Sequence, residues 1–237
     1  MRIAVISDVH GNLPALEAVL AEVEREAVDL VVSGGDVAMG PMPVECVDAL
    51  RGLDHLLWVR GNADRAAIPD QYADRARWVE EQLGPERIAL IRGAELSVSV
   101  TADELGEVLI CHGSPRSDEE ILTKFSPESR VAAALEGVAE GIVLHGHTHV
   151  QYDRRVAGRR LVCAGSVGLP YEGRPGAFWA LLGSDLELRR TEYDVEAAVA
   201  AIRTTGFPGA DDVASTLLEP PDPDEISQFF EGNAASS

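Results

Sequence analysis

Five short segments of the chain contain residue types that bind divalent metal ions in proteins, namely carboxylates, a carboxamide and imidazoles. Each segment closely follows an apolar run that predicts a buried β-strand, and open α/β sheets bind their ligands at the carboxyl ends of the strands. In sequence order the segments are Asp8-Val9-His10, Gly35-Asp36, Gly61-Asn62-Ala63-Asp64, His112-Gly113 and Gly146-His147-Thr148-His149. The sequence therefore predicts that these side chains gather into one site at the edge of a sheet.

The spacing within the segments predicts how a metal would be held. Asp8 and His10 are two residues apart, and because strand side chains alternate, both would project to the same side of an extended strand end. Asp36 follows two glycines, which allow a tight turn in which one carboxylate could bridge two cations. Oxygen and nitrogen ligands without cysteine favour Mn²⁺, Fe²⁺ or Zn²⁺ over Ca²⁺ or Mg²⁺ and argue against a structural zinc.

These features together predict a catalytic dinuclear centre. Two cations roughly 3.5 to 4 Å apart lower the pKa of a bridging water, orient a phosphoryl oxygen and neutralise charge during in-line displacement. We expect two divalent ions, with manganese as the first choice and iron, zinc or nickel as the alternatives.

The elements that must position the site alternate in type through the first part of the chain. Strand, helix, strand, helix and strand follow one another, which favours a sheet with parallel strands, and the second half is rich in strands. The first series spans residues 3–7, 13–27, 30–33, 43–51 and 55–59. We predict an α/β fold, a four-layer α/β/β/α sandwich of two mixed β-sheets flanked by helices.

A single domain over residues 1–209 accounts for most of the chain. Within it, residues 65–92 predict a helical cap that Gly84-Pro85 divides into two helical stretches. Residues 210–237 contain seven acidic residues and no basic one, which predicts a mobile tail. Three apolar residues in the tail could dock a short helix on the domain or on another subunit: Ile226, Phe229 and Phe230.

The composition limits the classes of partner. A formal net charge of −20 would repel a long nucleic acid, so extended nucleic acids are not expected as substrates. The three cysteines, Cys46, Cys111 and Cys163, lie in apolar contexts and predict free core thiols. Neither a signal-peptide core nor an apolar run of membrane length is evident, which predicts a cytoplasmic protein that does not bind membranes.

The ordered pattern D-x-H, G-D, G-N-x-D, H-G and G-H-x-H resembles that of the calcineurin-like metallophosphoesterases. The resemblance runs from the first strand to beyond His149. Two further segments resemble the small bacterial and archaeal phosphodiesterases of that superfamily: Ser7-Asp8-Val9-His10-Gly11-Asn12 and Gly165-Ser166-Val167-Gly168.

This resemblance implies a complete set of metal ligands. The first metal would be held by Asp8, His10, Asp36 and His149. The second would be held by Asp36, Asn62, His112 and His147, so that Asp36 bridges the two. Asp36, Asn62 and His112 would then be the catalytic centre, with a metal-bound water as the nucleophile.

One position departs from the family pattern. Most members have histidine after the asparagine of G-N-H-D, and this chain has Ala63. That histidine is thought to stabilise the transition state or to protonate the leaving group, and general acid catalysis contributes about 10²- to 10⁴-fold. Substrates with good leaving groups should therefore react best, unless another residue substitutes for it.

Two residues beside the ligands are candidate substrate contacts. Arg116 lies close in sequence to His112 and could clamp a phosphate with its planar guanidinium, although a solvated loop arginine is an equal alternative. Asn12, two residues after His10, is a second candidate.

The resemblance implies a phosphodiesterase or phosphoanhydride hydrolase that acts on a small phosphorylated or nucleotide substrate. A protein phosphatase is one alternative, because the same metal core serves that branch of the superfamily. A non-catalytic interaction scaffold is another, because a eukaryotic retromer subunit keeps this fold without hydrolysis. The protein could also form a homo-oligomer.

Overall fold

The computed structural model describes residues 1–65 and 70–234. Its ten strands are β1 (Ile3–Ile6), β2 (Leu30–Ser33), β3 (Leu56–Trp58), β4 (Ser97–Ala102), β5 (Gly106–Cys111), β6 (Ile142–His145), β7 (Tyr152–Val156), β8 (Arg159–Cys163), β9 (Ala177–Leu182) and β10 (Leu186–Thr191). The α-helices of the described residues are α1 (Leu13–Arg25), α2 (Pro43–Arg51), α3 (Ala73–Arg92), α4 (Glu128–Ala134), α5 (Val195–Ile202), α6 (Ala210–Leu218) and α7 (Pro223–Ala234).

The strands form two mixed five-stranded sheets. The first has the order β10-β9-β1-β2-β3, and the second has the order β4-β5-β6-β8-β7. In the first sheet β1, β2 and β3 are parallel, with Ile3 opposite Leu30. In the second sheet β5, β6 and β8 are parallel. The carboxyl ends of neighbouring parallel strands thus meet at one edge of each sheet, as the predicted site requires.

Three apolar layers confirm the predicted α/β/β/α sandwich. The inner layer joins the two sheets and contains Val5 and Val32 from one and Ile110 from the other. The layer on the outer face of the first sheet contains residues of α1, α2, α3, α5 and α6, and Leu16 is fully buried in it. Helix α4 covers the outer face of the second, where Val131 is fully buried.

The first βα turn shows how local sequence fixes one of these elements. Asn12 caps α1 by accepting a hydrogen bond at Oδ1 from the backbone N–H of Ala15, at 3.3 Å. Pro14 lies in the first turn, where its missing N–H costs nothing. Leu16 and Val19 then recur on the buried face of the helix. Helix α1 therefore starts directly after the Asp8–Asn12 segment and fixes where that segment ends.

The predicted cap is helical. A short 3₁₀ turn covers Asp70–Tyr72 and leads into α3, and residues 66–69 of the predicted range lie outside the described part of the chain. The predicted break is present, because Gly84 has φ +70° and ψ 168° between two helical stretches. Only glycine adopts this conformation easily, and Pro85 then starts the second stretch.

The segment predicted as an acidic tail forms α6 and α7 as far as residue 234. Val213 and Leu217 are buried in the apolar layer outside the first sheet, while Asp211 and Asp212 of α6 are exposed. A helical arrangement lets a segment of acidic average composition present one apolar face, which composition alone does not reveal. The mobility of this segment stays a prediction.

Two further expectations concern chemistry outside the site. All three cysteines are buried and free, as predicted. Among the helices of residues 1–65 and 70–234, none combines the length and apolar character needed to cross a membrane.

Candidate metal centre

The five polar segments meet at the carboxyl ends of their strands. Three of them follow β1, β2 and β3 in the first sheet, and two follow β5 and β6 in the second. The backbones of the first two are tied together, since the N–H of Asp8 donates to the Gly35 carbonyl at 3.0 Å and that of His10 to the Asp36 carbonyl at 2.9 Å. The predicted ligands are therefore brought to one place.

A first group of donor atoms consists of Asp8, His10 and His149. Their donor atoms all lie within 4.8 Å of one another. Asp8 Oδ1 is 3.2 Å from His149 Nε2 and 3.9 Å from His10 Nε2, and the two Nε2 atoms are 3.1 Å apart. The segments that follow β1 and β6, which are far apart in sequence, thus bring their donor atoms to one small volume.

A second group consists of Asp8, Asp36 and His112, also within 4.8 Å of one another. Asp36 Oδ2 is 3.5 Å from His112 Nε2 and 3.8 Å from His10 Nε2, so this carboxylate lies between the two groups. Asn62 Oδ1 is 3.0 Å from His112 Nε2. The His147 ring lies with its centroid 5.1 Å from that of His112.

The hydrogen bonds of the histidines orient their nitrogens for metal binding. In three of them Nδ1 is within hydrogen-bonding distance of a backbone carbonyl, which can only accept: His10 to Met39 at 3.1 Å, His112 to Gly34 at 2.8 Å and His149 to Leu169 at 2.6 Å. Nδ1 therefore carries the proton and Nε2 presents a lone pair in the neutral ring.

The two facing Nε2 atoms of His10 and His149 indicate whether a cation would fit between these side chains. Two lone pairs at 3.1 Å repel each other unless positive charge lies beside them. Asp8 Oδ1 points to the same region and is buried, with no hydrogen-bond partner among the described residues. Leaving a buried carboxylate oxygen without a partner is costly, and a metal ion would satisfy it. The donor set therefore fits a divalent metal.

In the second group, the charged side chains shift one another's pKa values. Burial raises the pKa of Asp36, but the charge of His112 outweighs it and lowers that pKa to about 2. Burial lowers the pKa of His112, but Asp36 and Asp8 outweigh it and raise that pKa to about 10. The carboxylates thus attract a positive charge to His112 Nε2, and a proton and a metal cation would compete for that position.

Asp64, the last residue of the third segment, supports the loop that carries Asp36. Its carboxylate accepts hydrogen bonds from the backbone N–H groups of Asp36 at 2.9 Å, Val37 at 3.2 Å and Gly61 at 3.0 Å. Burial and the nearby Asp36 charge raise the pKa of Asp64 to about 7. It acts on the loop backbones and not on the donor cluster itself.

Close packing around the second group explains why a glycine precedes Asp36. Gly35 has φ +96°, and a Cβ there would lie 2.5 Å from the backbone nitrogen of Gly61 and 2.8 Å from His112 Nδ1. Any side chain would push these segments apart.

The reason given for the Asp8–His10 spacing was wrong. Both residues have positive φ, +56° and +46°, and lie beyond the end of β1 in a turn, not in an extended strand. Their side chains converge because the turn is wrapped around the Asp36 loop by the backbone hydrogen bonds described above, and not because strand residues alternate.

A cleft of about 380 Å³ opens beside the donor cluster. Its polar floor includes His10, Asp36, Asn62, His147 and His149, together with Ala63. Its walls are largely aromatic and come from the cap, from the loop before β9 and from the C-terminal part of the chain: Tyr72, Arg75, Tyr171, Phe207 and Phe230. None of these wall residues was predicted from the sequence to lie at the site, and only Phe230 was singled out there, as part of a docking helix.

The two predicted substrate contacts are placed elsewhere. The guanidinium of Arg116 donates to the Glu120 carboxylate at 2.9 Å and to the Ala133 carbonyl at 2.9 Å. Asn12 is fully buried and donates from Nδ2 to the Gly168 carbonyl at 2.9 Å while it caps α1. Neither Arg116 nor Asn12 is among the described residues that line the cleft. The structure thus assigns Asn12 to holding the turn.

Two other side chains, His145 and Trp78, pack beside the site. His145 is buried, and its Nε2 is 2.5 Å from the Tyr152 hydroxyl, which supports the strand that leads to His147. Burial lowers the pKa of His145 to about 3, so this ring is neutral. Trp78 makes an edge contact with Phe207 at 5.4 Å between centroids, and so joins the cap to the C-terminal part.

Comparison with known proteins places this geometry in a family context. The family model described as a calcineurin-like phosphoesterase superfamily domain matches residues 1–183. The chain is similar to an uncharacterized protein of Methanocaldococcus jannaschii, with 26% identity over 233 residues that cover 87% of this chain and 93% of that protein.

Two solved structures are similar over nearly their whole length. The crystal structure of a metallophosphoesterase from Sphaerobacter thermophilus is 29% identical, with a TM-score of 0.76, and the match covers 92% of this chain and 99% of that chain. A hypothetical protein from Pyrococcus horikoshii is 22% identical, with a TM-score of 0.79, and covers 93% and 99%. The likeness to both therefore extends beyond the part that the family model matches.

Proposed function

The chain belongs to the calcineurin-like phosphoesterase superfamily, and from this we propose that it is a metal-dependent phosphoesterase that hydrolyses a phosphodiester or phosphoanhydride bond. We propose a small phosphorylated molecule, such as a nucleotide, as the substrate. The observation that carries the proposal is the convergence of the facing His10 and His149 nitrogens on the unpartnered Asp8 oxygen.

In this proposal two divalent ions are held by the predicted ligands. Asp8, His10, Asp36 and His149 would hold one, and Asp36, Asn62, His112 and His147 would hold the other. Support for a bridging Asp36 comes from its Oδ2, which lies 3.8 Å from His10 Nε2 and 3.5 Å from His112 Nε2. Manganese suits this mixed donor set, with iron, zinc and nickel as alternatives.

When bound, the ions would supply a water molecule of lowered pKa and positive charge for the phosphoryl oxygens. The residues of the chain would hold these parts in place. Asp64 fixes the Asp36 loop through three backbone hydrogen bonds, and the carbonyls of Met39, Gly34 and Leu169 fix the imidazole rings. Such preorganisation is what an electrostatically catalysed phosphoryl transfer requires.

The cleft supports a small substrate. Its volume of about 380 Å³ is within the usual range for small-molecule pockets, and aromatic walls beside a polar floor suit an organic phosphate. The net charge of −20 opposes a long polyanion. Ala63 has no proton to give, so departure of the leaving group depends on its own acidity or on another residue of the cleft.

The test is hydrolysis of bis-p-nitrophenyl phosphate by metal-free protein titrated with Mn²⁺. We expect turnover to require the metal and to fall by about 10²-fold or more in Asp36→Asn and His112→Ala, the loss typical of removing one electrostatic group from an active site. Matched controls are Asp211→Asn and His55→Ala, which change exposed residues of the same types and should keep full activity.

A protein that binds two metal ions per chain and hydrolyses no diester or anhydride would contradict the proposal. That outcome would favour an interaction scaffold. Release of phosphate from phosphoproteins, without turnover of small diesters, would instead favour a protein phosphatase.

A further inference from the structure

Arg75 is the only lysine or arginine among the described residues that line the cleft beside the donor cluster. It lies in the first turn of α3, and its side chain is 25% exposed. In a chain with a formal net charge of −20, Arg75 thus brings a positive charge to the wall of a cleft whose floor includes Asp36. An arginine so placed is a ready partner for a phosphoester oxygen.

The surroundings of Arg75 hold its guanidinium in place and still leave it available. The group lies over the Tyr72 ring, 4.8 Å from the centroid, and packs against the backbone at Gly209, where an added Cβ would be 2.7 Å from the guanidinium carbon. It pairs with the carboxylate of Asp212, whose side chain is 73% exposed. Ion pairs with so exposed a partner are weak, so a substrate anion can replace Asp212.

The same cleft contains the position at which this chain departs from the family pattern. Ala63 lines the cleft with Asp36 and Asn62, and its backbone N–H donates to Asp36 Oδ1 at 2.8 Å. Its methyl group can neither donate a proton nor stabilise charge on a leaving oxygen. The cleft therefore lacks one electrostatic function beside Ala63 and has one unassigned cation in its wall.

We propose that Arg75 contacts the leaving oxygen of the bound phosphoester and stabilises the negative charge that develops there. This rests on the proposed phosphoesterase function. A water oxygen forms a bond to phosphorus, and the electron pair of the breaking P–O bond goes to the leaving oxygen. Arg75 keeps its proton and donates hydrogen bonds, while the leaving oxygen takes its proton from solvent and the water gives one up. Diester and water thus become monoester and alcohol or phenol.

This role predicts how the effect of Arg75 on the rate depends on the acidity of the leaving group. Charge on the leaving oxygen is greatest when the leaving group is a weak acid, so Arg75 should matter most for weakly acidic phenols and alcohols. A cation that only bound the non-bridging phosphoryl oxygens would instead accelerate all substrates by a similar factor.

The experiment compares Arg75→Met with Arg77→Met. Arg77 lies on the same helix, and its side chain is 71% exposed. Rates are measured with Mn²⁺ on aryl and alkyl phosphodiesters of graded leaving-group acidity. For Arg75→Met we expect a loss of about 10²-fold on the least acidic leaving groups and a much smaller loss on p-nitrophenyl esters. Arg77→Met should match the wild type throughout, and Arg75→Lys should fall between them because it keeps the charge without the planar fork.

Two further measurements test the role of Arg75: the affinity for an analogue that is not hydrolysed, and the rate of a double variant. Phenylphosphonate has a P–C bond and therefore no leaving oxygen, so its affinity should be nearly the same in the wild type, Arg75→Met and Arg77→Met; a several-fold loss in Arg75→Met would show that Arg75 binds the non-bridging oxygens and would overturn the assignment. Introducing Ala63→His into Arg75→Met should restore much of the lost rate on weakly acidic leaving groups. The unfolding temperature of each variant checks that the fold is intact.

The outcomes separate this inference from the proposal beneath it. If the wild type hydrolyses no phosphoester, the proposed function fails. If the wild type is active but Arg75→Met loses the same factor on every substrate, or loses nothing relative to Arg77→Met, the assignment of Arg75 to the leaving oxygen is overturned.

Discussion

At the scale of single residues, the donor cluster is built from backbone conformations that most residues avoid. Seven non-glycine residues in the described part of the chain have positive φ, and five of them are predicted metal ligands: Asp8, His10, Asp36, His147 and His149. Aspartate and histidine tolerate this region better than most residues do, but each instance still costs about 1 kcal/mol or more. Strain concentrated at one cluster is typical of a functional site.

Asp64 is the residue whose removal should most directly loosen this cluster without taking away a ligand. In mildly alkaline buffer, above its pKa of about 7, its carboxylate accepts three backbone N–H groups. Asp64→Asn would leave one oxygen and turn an NH₂ group toward donors. We expect the free energy of unfolding to fall by about 1–3 kcal/mol and Mn²⁺ to bind more weakly, because the Asp36 loop is released.

Urea unfolding and calorimetric titration with Mn²⁺ measure the two effects. Asp211→Asn is the control, because that side chain is 87% exposed. Unchanged stability together with unchanged Mn²⁺ affinity would show that Asp64 does not support the loop.

At the scale of elements, α7 is attached to the domain by a compact polar cluster. Glu231 accepts hydrogen bonds from the hydroxyls of Thr123 and Ser126, both at 2.6 Å, and from the guanidinium of Arg130 at 2.5 Å. Burial raises the pKa of Glu231, but these hydrogen bonds outweigh it and leave the pKa below its usual value, so the carboxylate is charged at neutral pH. Removing the charge should therefore loosen the helix.

Helix α7 also reaches the site. The Phe230 ring lies 6.4 Å from the Tyr171 ring, and Tyr171 stacks on His149 at 4.6 Å with an interplanar angle of 23°. The helix thus supports the aromatic ring that covers one predicted metal ligand.

We predict that Glu231→Gln weakens the docking of α7. Loss of a charge-assisted cluster is worth about 1.4 kcal/mol or more, which corresponds to about a tenfold loss of protection from hydrogen exchange in residues 223–234. Glu225→Gln, an exposed change on the same helix, should leave the protection unchanged. Equal exchange in the two variants would mean that other contacts hold the helix.

The elements differ in how far the sequence determined them. The first β-α-β-α-β series was predicted within a few residues, because apolar periodicity and glycine or proline breaks mark it locally. Helix α6 was not predicted, and α7 was predicted only as a short helix carrying Ile226, Phe229 and Phe230 that could dock on the domain or on another subunit. In a segment of acidic average composition, a few apolar residues such as Val213 and Leu217 do not stand out. They form one buried face only when the segment is helical and packs on the rest of the domain.

At the scale of the whole molecule, the floor of the site could be predicted from the sequence, and its walls could not. The floor could be predicted because each ligand belongs to a short motif at the end of a strand, and parallel strands bring those ends together. The walls are single residues from distant elements, such as Arg75 in α3 and Phe230 in α7, and no local pattern marks them. Their role depends on tertiary packing between the cap and the C-terminal helices.

Metal binding should therefore stabilise the whole fold, since the proposed ligands come from both sheets. A ligand at 100 times its dissociation constant adds about 2.7 kcal/mol to the free energy of unfolding. For a chain of this size, 1 kcal/mol shifts the unfolding temperature by about 2–4 °C. We predict that saturating Mn²⁺ raises the unfolding temperature of metal-free protein by roughly 5–10 °C per tightly bound ion.

Thermal unfolding with and without Mn²⁺, together with elemental analysis of bound metal, measures this shift. His149→Ala should lose the part of the shift due to the first ion, and His112→Ala the part due to the second, whereas His55→Ala should keep the full shift because His55 is exposed and away from the cleft. Mg²⁺ should shift the wild type less, because imidazoles suit it poorly. A wild-type unfolding temperature that Mn²⁺ leaves unchanged would contradict metal binding between the two sheets. A full shift that survives in both His149→Ala and His112→Ala would place the metal elsewhere in the molecule.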